Sequence, residues 1–146
     1  LSDEIKQQVE GLEAVHNYTA QYERRLAKMK AAGAIREELT PEMRAKVPDV
    51  IHPVIRRHPL TGRKCVFVNI AFVTEIVGMT KEAGAQLRDM LIEHSTAPRF
   101  VYQHRWETGD LLIWDNSATQ HLAIADFSLP QRRLMYRTTV KGQPSH

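Results

Sequence analysis

One cysteine, Cys65, stands alone among 146 residues. A single thiol excludes an internal disulfide and any cysteine-based metal cluster. Its setting, K-C-V-F-V, is that of a buried small hydrophobe. Long apolar runs are missing as well. None nears the ~20 residues that a bilayer-spanning helix requires, so no membrane partner is expected. No signal peptide is visible, and a reducing cytoplasm is the expected home. Aromatic residues are only 7% of the chain, and they do not interleave with the basic ones. Arg24, Arg25, Lys28, Lys30, Arg56, Arg57, Arg63 and Lys64 are scattered, so the net charge of +3 reads as solvated surface. That argues against a nucleic-acid partner. An initiator methionine is missing too. Leu1-Ser2-Asp3 reads as the start of an internal helix with Ser2 as N-cap, the expected look of the later part of a longer protein.

What is present is enough for one globular domain: 42% hydrophobic and 25% charged residues. Residues 3–12 have a helical pattern, 13–19 form a short extended or loop segment, and 20–32 are again helical until Gly33. Residues 33–50 read as a weakly structured connection. Within it Thr40-Pro41-Glu42 starts a helix, because threonine caps and proline suits the first turn. The runs 51–57 and 64–69 flank the turn H-P-L-T-G and predict a β-hairpin. The spacing of Ala83, Leu87, Met90, Leu91 and His94 after Thr80 predicts a helix over 80–95. Strands are expected at 100–106, 111–115, 119–124 and 132–140, with a loop at 125–130. Short strands with one good helix between them predict a mostly antiparallel β-sandwich or jelly roll carrying helices.

The chemistry concentrates in W-D-N-S-A-T-Q-H (114–121) and P-Q-R-R-L-M-Y-R (130–137). The first segment offers one metal-competent imidazole, His121. In the second, Arg133, Met135 and Arg137 fall on one face of a strand. Should that face be the inner one, two like charges there require anionic partners, each held by a guanidinium fork. The sequence also offers Arg133 a structural carboxylate, Asp115 or Asp126. Asp115, beside Asn116 at a turn, is suited to holding the loop by side-chain to backbone bonds. Trp106 and Trp114 read as core. His16, His52, His58, His94 and His104 show no metal-ligand spacing with one another and read as structural or surface residues.

These segments, with the closing T-V-K-G-Q-P and the upstream H-P-V-I-R-R-H-P-L-T-G-R-K-C-V-F-V-N and F-V-T-E-I-V-G-M, resemble the TauD/TfdA family of Fe(II)- and 2-oxoglutarate-dependent dioxygenases. The resemblance is strong from about residue 51 onward and loose before it. It implies a double-stranded β-helix (jelly-roll) core, incomplete in this chain. The chain would be the C-terminal part of a single domain, with 1–50 as a helical, lid-like segment and 51–146 as the jelly-roll part. It implies that His121 is the distal histidine of a two-His-one-carboxylate iron site, which leaves positions open for oxygen and a keto acid. It further implies that Arg133 pairs with the far carboxylate of 2-oxoglutarate and that Arg137 holds an anionic group of the substrate. Phe72 and Tyr18 match aromatic positions that line the substrate pocket. The implied reaction is hydroxylation of a small sulfonate, sulfate or carboxylate by O2, with succinate and CO2 as co-products. A homo-oligomer is compatible with this reading.

The chain departs from the family in one large respect. No H-x-D or H-x-E triplet occurs in it, so it supplies one iron ligand of three. The threonine that helps hold 2-oxoglutarate is expected upstream as well. Ser117 stands where the taurine enzyme has a basic residue, and the stretch from His121 to Arg133 is one residue longer. Two other readings fit the same residues. One is a metal-free jelly roll that binds small anions through its arginines. The other is a half-enzyme that docks on a separate N-terminal part carrying H-x-D.

Overall fold

A computed structural model describes residues 1–31, 33, 37–124, 130, 133–140 and 142. The elements run α1 (Asp3–Val9), β1 (Glu13–His16), α2 (Tyr18–Ala31), α3 (Pro41–Ala45), β2 (Val50–Pro53), β3 (Ile55–Arg57), β4 (Lys64–Val66), β5 (Val73–Ile76) and α4 (Lys81–Ser95), followed by a 3-10 turn at Pro98–Phe100. Each helix starts where a short polar side chain can satisfy a free N–H. Ser2 Oγ accepts from Ile5 N–H at 3.3 Å, Thr40 Oγ1 from Met43 N–H at 3.2 Å, and Thr80 Oγ1 from Ala83 N–H at 3.3 Å. Asn17 Oδ1 accepts from Ala20 N–H at 2.6 Å, which starts α2 earlier than the sequence pattern predicts and places Tyr18 in its first turn.

Two antiparallel sheets result. One has the order β2-β1-β5 and the other pairs β3 with β4. In the first, Ala14 faces His52 on one side and Ile76 on the other, and the register shifts between Val15 and His16. The core gathers Val9, Ala14, Val54, Val68, Val73, Ile76, Leu87 and Leu91, so α4 covers β5 with its Leu87/Leu91 stripe. Gly84 lies where α4 meets Ile76: a Cβ there would sit 3.6 Å from the Ile76 Cβ.

Three expectations need correction. The run 51–57 is not one strand of a hairpin. It breaks at Val54, and β2 pairs with β1 while β3 pairs with β4 across the turn. Val54 N–H donates to Leu12 O at 2.8 Å, and Val54 O accepts from Phe67 N–H at 2.7 Å. The backbone therefore changes sheets at this residue. Second, the expected strands at 100–106, 111–115 and 119–124 and the described part of 132–140 carry no ladder. A strand exists through its partner's N–H and C=O groups, and among the described residues these runs find none. Leu111, Ile113, Leu122, Leu134, Tyr136 and Val140 consequently lie exposed. Third, Trp106 is exposed, Trp114 is half-buried, and Cys65, on the two-stranded sheet, is half-buried rather than core. Of the predicted loop at 125–130, residues 125–129, Asp126 among them, lie outside the described residues.

Candidate functional site

The W-D-N segment is a tight turn built around Asp115. The Asp115 carbonyl accepts from Thr119 N–H at 3.0 Å and from Thr119 Oγ1 at 2.6 Å, while its Oδ1 accepts from Ser117 N–H at 2.7 Å. The side-chain to backbone role expected of this aspartate is thus present. Trp114 Nε1 donates to Asn116 Oδ1 at 2.9 Å, and the Trp114 ring lies 5.0 Å from the His121 ring at 51°. The turn therefore brings the tryptophan before it against the histidine after it.

Two side-chain hydrogen bonds tie this segment to the folded body. Gln120 Nε2 donates to the carbonyl of core residue Val68 at 2.9 Å. His58 Nε2 lies 2.6 Å from Asp115 Oδ2. His58 is buried within the turn that joins β3 to β4, and its Nδ1 accepts from Leu60 N–H at 3.2 Å and Thr61 N–H at 3.1 Å. A nitrogen that accepts carries no proton, so the proton sits on Nε2 and is donated to Asp115. That bond, with the Ser117 N–H second, holds the Asp115 carboxyl below the usual aspartate range. Sequence reading placed His58 among structural or surface residues. The missed signal is its position at the head of the H-P-L-T-G turn, where an imidazole can bond the turn's own N–H groups.

Both arginines lie in solvent. Arg133 donates from its terminal nitrogen to Ile124 O at 3.1 Å and from Nε to Met135 Sδ at 2.9 Å. Arg137 forms no hydrogen bond or ion pair among the described residues, and Asp115 is engaged by His58 rather than by Arg133. Burial therefore does not impose anionic partners on this pair. Among the described residues the Arg137 guanidinium is open to such a partner, and that of Arg133 keeps its second terminal nitrogen free beside the two bonds it makes.

Tyr18 and Phe72 do meet. Their rings stack with centroids 6.3 Å apart and planes at 15°. Asn17 N–H donates to Phe72 O at 2.8 Å, and Phe72 N–H donates to Asn69 Oδ1 at 2.9 Å, so two asparagines fix the aromatic pair. The pair lines an open cleft of about 300 Å³ together with His16, Lys46, Val50 and His52. Burial, then the neighbouring His52, pushes the His16 ring down to about 4, against a hydrogen bond with the Phe67 backbone that works the other way. Burial, then the Arg56 charge, lowers His52. Both imidazoles are uncharged at neutral pH, and Lys46 is the cation of this cleft. No hydrogen bond, ion pair or ring contact among the described residues joins Tyr18 or Phe72 to His121, Arg133 or Arg137.

The donor set fits a metal only in part. His121 offers one imidazole, but among the described residues no three His, Cys, Asp or Glu side chains converge as a metal site. A facial triad needs a second histidine and a carboxylate.

Comparison with known proteins gives a consistent result. The family described as "Taurine catabolism dioxygenase TauD, TfdA family" matches residues 1–139. An alpha-ketoglutarate-dependent 2,4-dichlorophenoxyacetate dioxygenase of Burkholderia sp. (strain RASC) is 37% identical over 106 residues, 73% of this chain and 35% of that protein. An alkylsulfatase of Acinetobacter baylyi is 30% identical over 151 residues, 98% of this chain and 44% of that protein. Among solved structures, a taurine dioxygenase from Burkholderia xenovorans is similar with a TM-score of 0.54 at 30% identity, over 75% of this chain and 31% of that one. The chain thus spans less than half the length of each of these relatives.

Proposed function

We propose that this chain, which belongs to the TauD/TfdA dioxygenase family, forms the C-terminal part of an Fe(II)- and 2-oxoglutarate-dependent dioxygenase acting on a small organic anion. The observation that carries the reading is the W-D-N turn. It delivers His121 on a segment pinned at Asp115 and Gln120, with two solvent-exposed guanidinium groups downstream. Iron(II), when bound with 2-oxoglutarate and O2, supplies the oxidising chemistry, with succinate and CO2 as co-products.

The residues of this chain bind and orient. His121 gives one imidazole nitrogen, and Trp114 packs against its ring and limits its rotation. The two further protein ligands come from outside these 146 residues, which contain no H-x-D. Arg133 takes the far carboxylate of 2-oxoglutarate, because a planar fork matches a carboxylate with two parallel hydrogen bonds. Arg137, four residues on, takes the sulfonate, sulfate or carboxylate of the substrate. Tyr18 and Phe72 present an apolar wall for the substrate's carbon skeleton. The named relatives act on an aryloxyacetate and, by its name, on an alkyl sulfate. Both are small anions with an apolar part, which supports this division of labour.

The test is calorimetric 2-oxoglutarate binding to the full-length protein with and without Fe(II) under anaerobic conditions. Binding that needs the metal and is lost in His121→Ala is the expected result. Metal-independent binding that survives His121→Ala overturns the reading and identifies an anion-binding jelly roll instead.

A further inference from the structure

We infer that His58 is a positioning residue for His121, acting through Asp115. The inference rests on the reading of His121 as a metal ligand and deepens it. The side chain of His58 is held from both ends. Its Nδ1 is fixed by the Leu60 and Thr61 N–H groups, and its Nε2 proton is committed to Asp115 Oδ2 at 2.6 Å. The ring is therefore a rigid strut of one tautomer, buried on its own sheet, reaching a carboxylate that is otherwise half in solvent.

That carboxylate controls the path to His121. Its other oxygen and its backbone carbonyl close the 115–119 turn. Trp114, immediately before Asp115, lies against the His121 ring, and Gln120, immediately before His121, is bonded to Val68 O. The histidine's backbone thus leaves a turn pinned at its start by His58 and at its end by Val68. With no ladder partner for this segment among the described residues, these two bonds take over the work that a strand would do. Groups that orient a ligand indirectly alter metal affinity ~10- to 100-fold when removed.

Two conservative substitutions separate the strut from the turn it sits in. Asn at 58 can place an acceptor where Nδ1 is but has no donor for Asp115. Gln at 58 can place an N–H donor where Nε2 is but has no acceptor for the turn. The experiment titrates Co(II), as a spectroscopic stand-in for iron, into the full-length wild type and into His58→Asn, His58→Gln, Asp115→Ala and His121→Ala. Dissociation constants and ligand-field spectra are read, with thermal midpoints as the folding control. The expected result is a Co(II) dissociation constant raised ~10-fold in His58→Asn and in Asp115→Ala with an altered spectrum, and a value within about threefold of wild type in His58→Gln. Asp115 is exposed, so its variant keeps the test alive should His58→Asn fail to fold. Loss of Co(II) binding in His121→Ala with an unchanged constant and spectrum in Asp115→Ala and any folded His58→Asn overturns the strut. Co(II) binding unaffected by His121→Ala overturns the assignment of His121 itself, and the strut with it.

Discussion

The ring of His16 stacks on Phe67, centroids 4.9 Å apart and planes at 23°, while its Nε2 is buried without a hydrogen-bond partner among the described residues. His52 meets the same pair edge-on, 4.9 Å from His16 at 88°, and Arg56 sits 4.5 Å above the Phe67 ring. A histidine so placed is kept neutral, first because a proton on it would be desolvated and second because it would face His52.

Stability should accordingly fall as pH drops. In the unfolded chain His16 takes up its proton near the ordinary 6.5, whereas in the folded chain it resists until about 4. Between these values the unfolded state binds more protons, so stability declines with falling pH and levels off for this group below about 4. Screening of the half-buried ring reduces the full linkage value to about 2 kcal/mol. Urea midpoints from pH 7.5 to 4 should show the slope, and His16→Phe should flatten it. An unchanged slope in that variant contradicts the assignment.

Gly84→Ala should stabilise the protein. Glycine inside a helix costs about 1 kcal/mol relative to alanine. The added methyl would meet Ile76 and Met79 at 3.6 Å, an ordinary contact that requires no displacement. A rise in the urea midpoint is expected, and a fall would mean that the helix and sheet are closer than the structure shows.

Leu91→Ala should cost about 3 kcal/mol, because a fully buried leucine leaves a cavity that its neighbours cannot fill. Thr80→Ala, which frees the Ala83 N–H at the start of the same helix, should cost about 1 kcal/mol. The two sites are distinct, so their losses should add in the double variant to within about 0.5 kcal/mol.

The two arginines should separate kinetically. Arg137→Ala is expected to raise the KM for the organic anion at least tenfold more than the KM for 2-oxoglutarate, with Arg133→Ala showing the reverse, since each charge-assisted fork contributes about 1.5–3 kcal/mol. Equal effects on both substrates would remove the division of roles.

Local signals were legible in the chain. The caps at Ser2, Thr40 and Thr80 act on N–H groups three residues away, so their position follows from sequence alone. The Asp115 turn is equally local. Pairing is not. Nothing in the alternation of 51–57 reveals that Val54 separates strands of two sheets, and β5 lies where the pattern assigns no element. Among the described residues, the runs after residue 100 have strand composition without a ladder, because composition cannot supply a partner's N–H and C=O groups. The site divides in the same way. The motif is what singles out His121 and the arginines as candidates, but the proposed His58 strut links residues 57 positions apart and shows only in three dimensions.

Val54 has both of its backbone groups committed, one to each side, and its side chain is fully enclosed. A single residue, through the two peptide units that flank it, is therefore the crossbar between the α4-covered sheet and the sheet bearing the His58 turn. Since that turn in turn grips Asp115, a tilt of the core at Val54 and a change in the heading of His121 are not independent motions. Damage deep in the hydrophobic interior should be felt at the imidazole as misalignment before it is felt as unfolding.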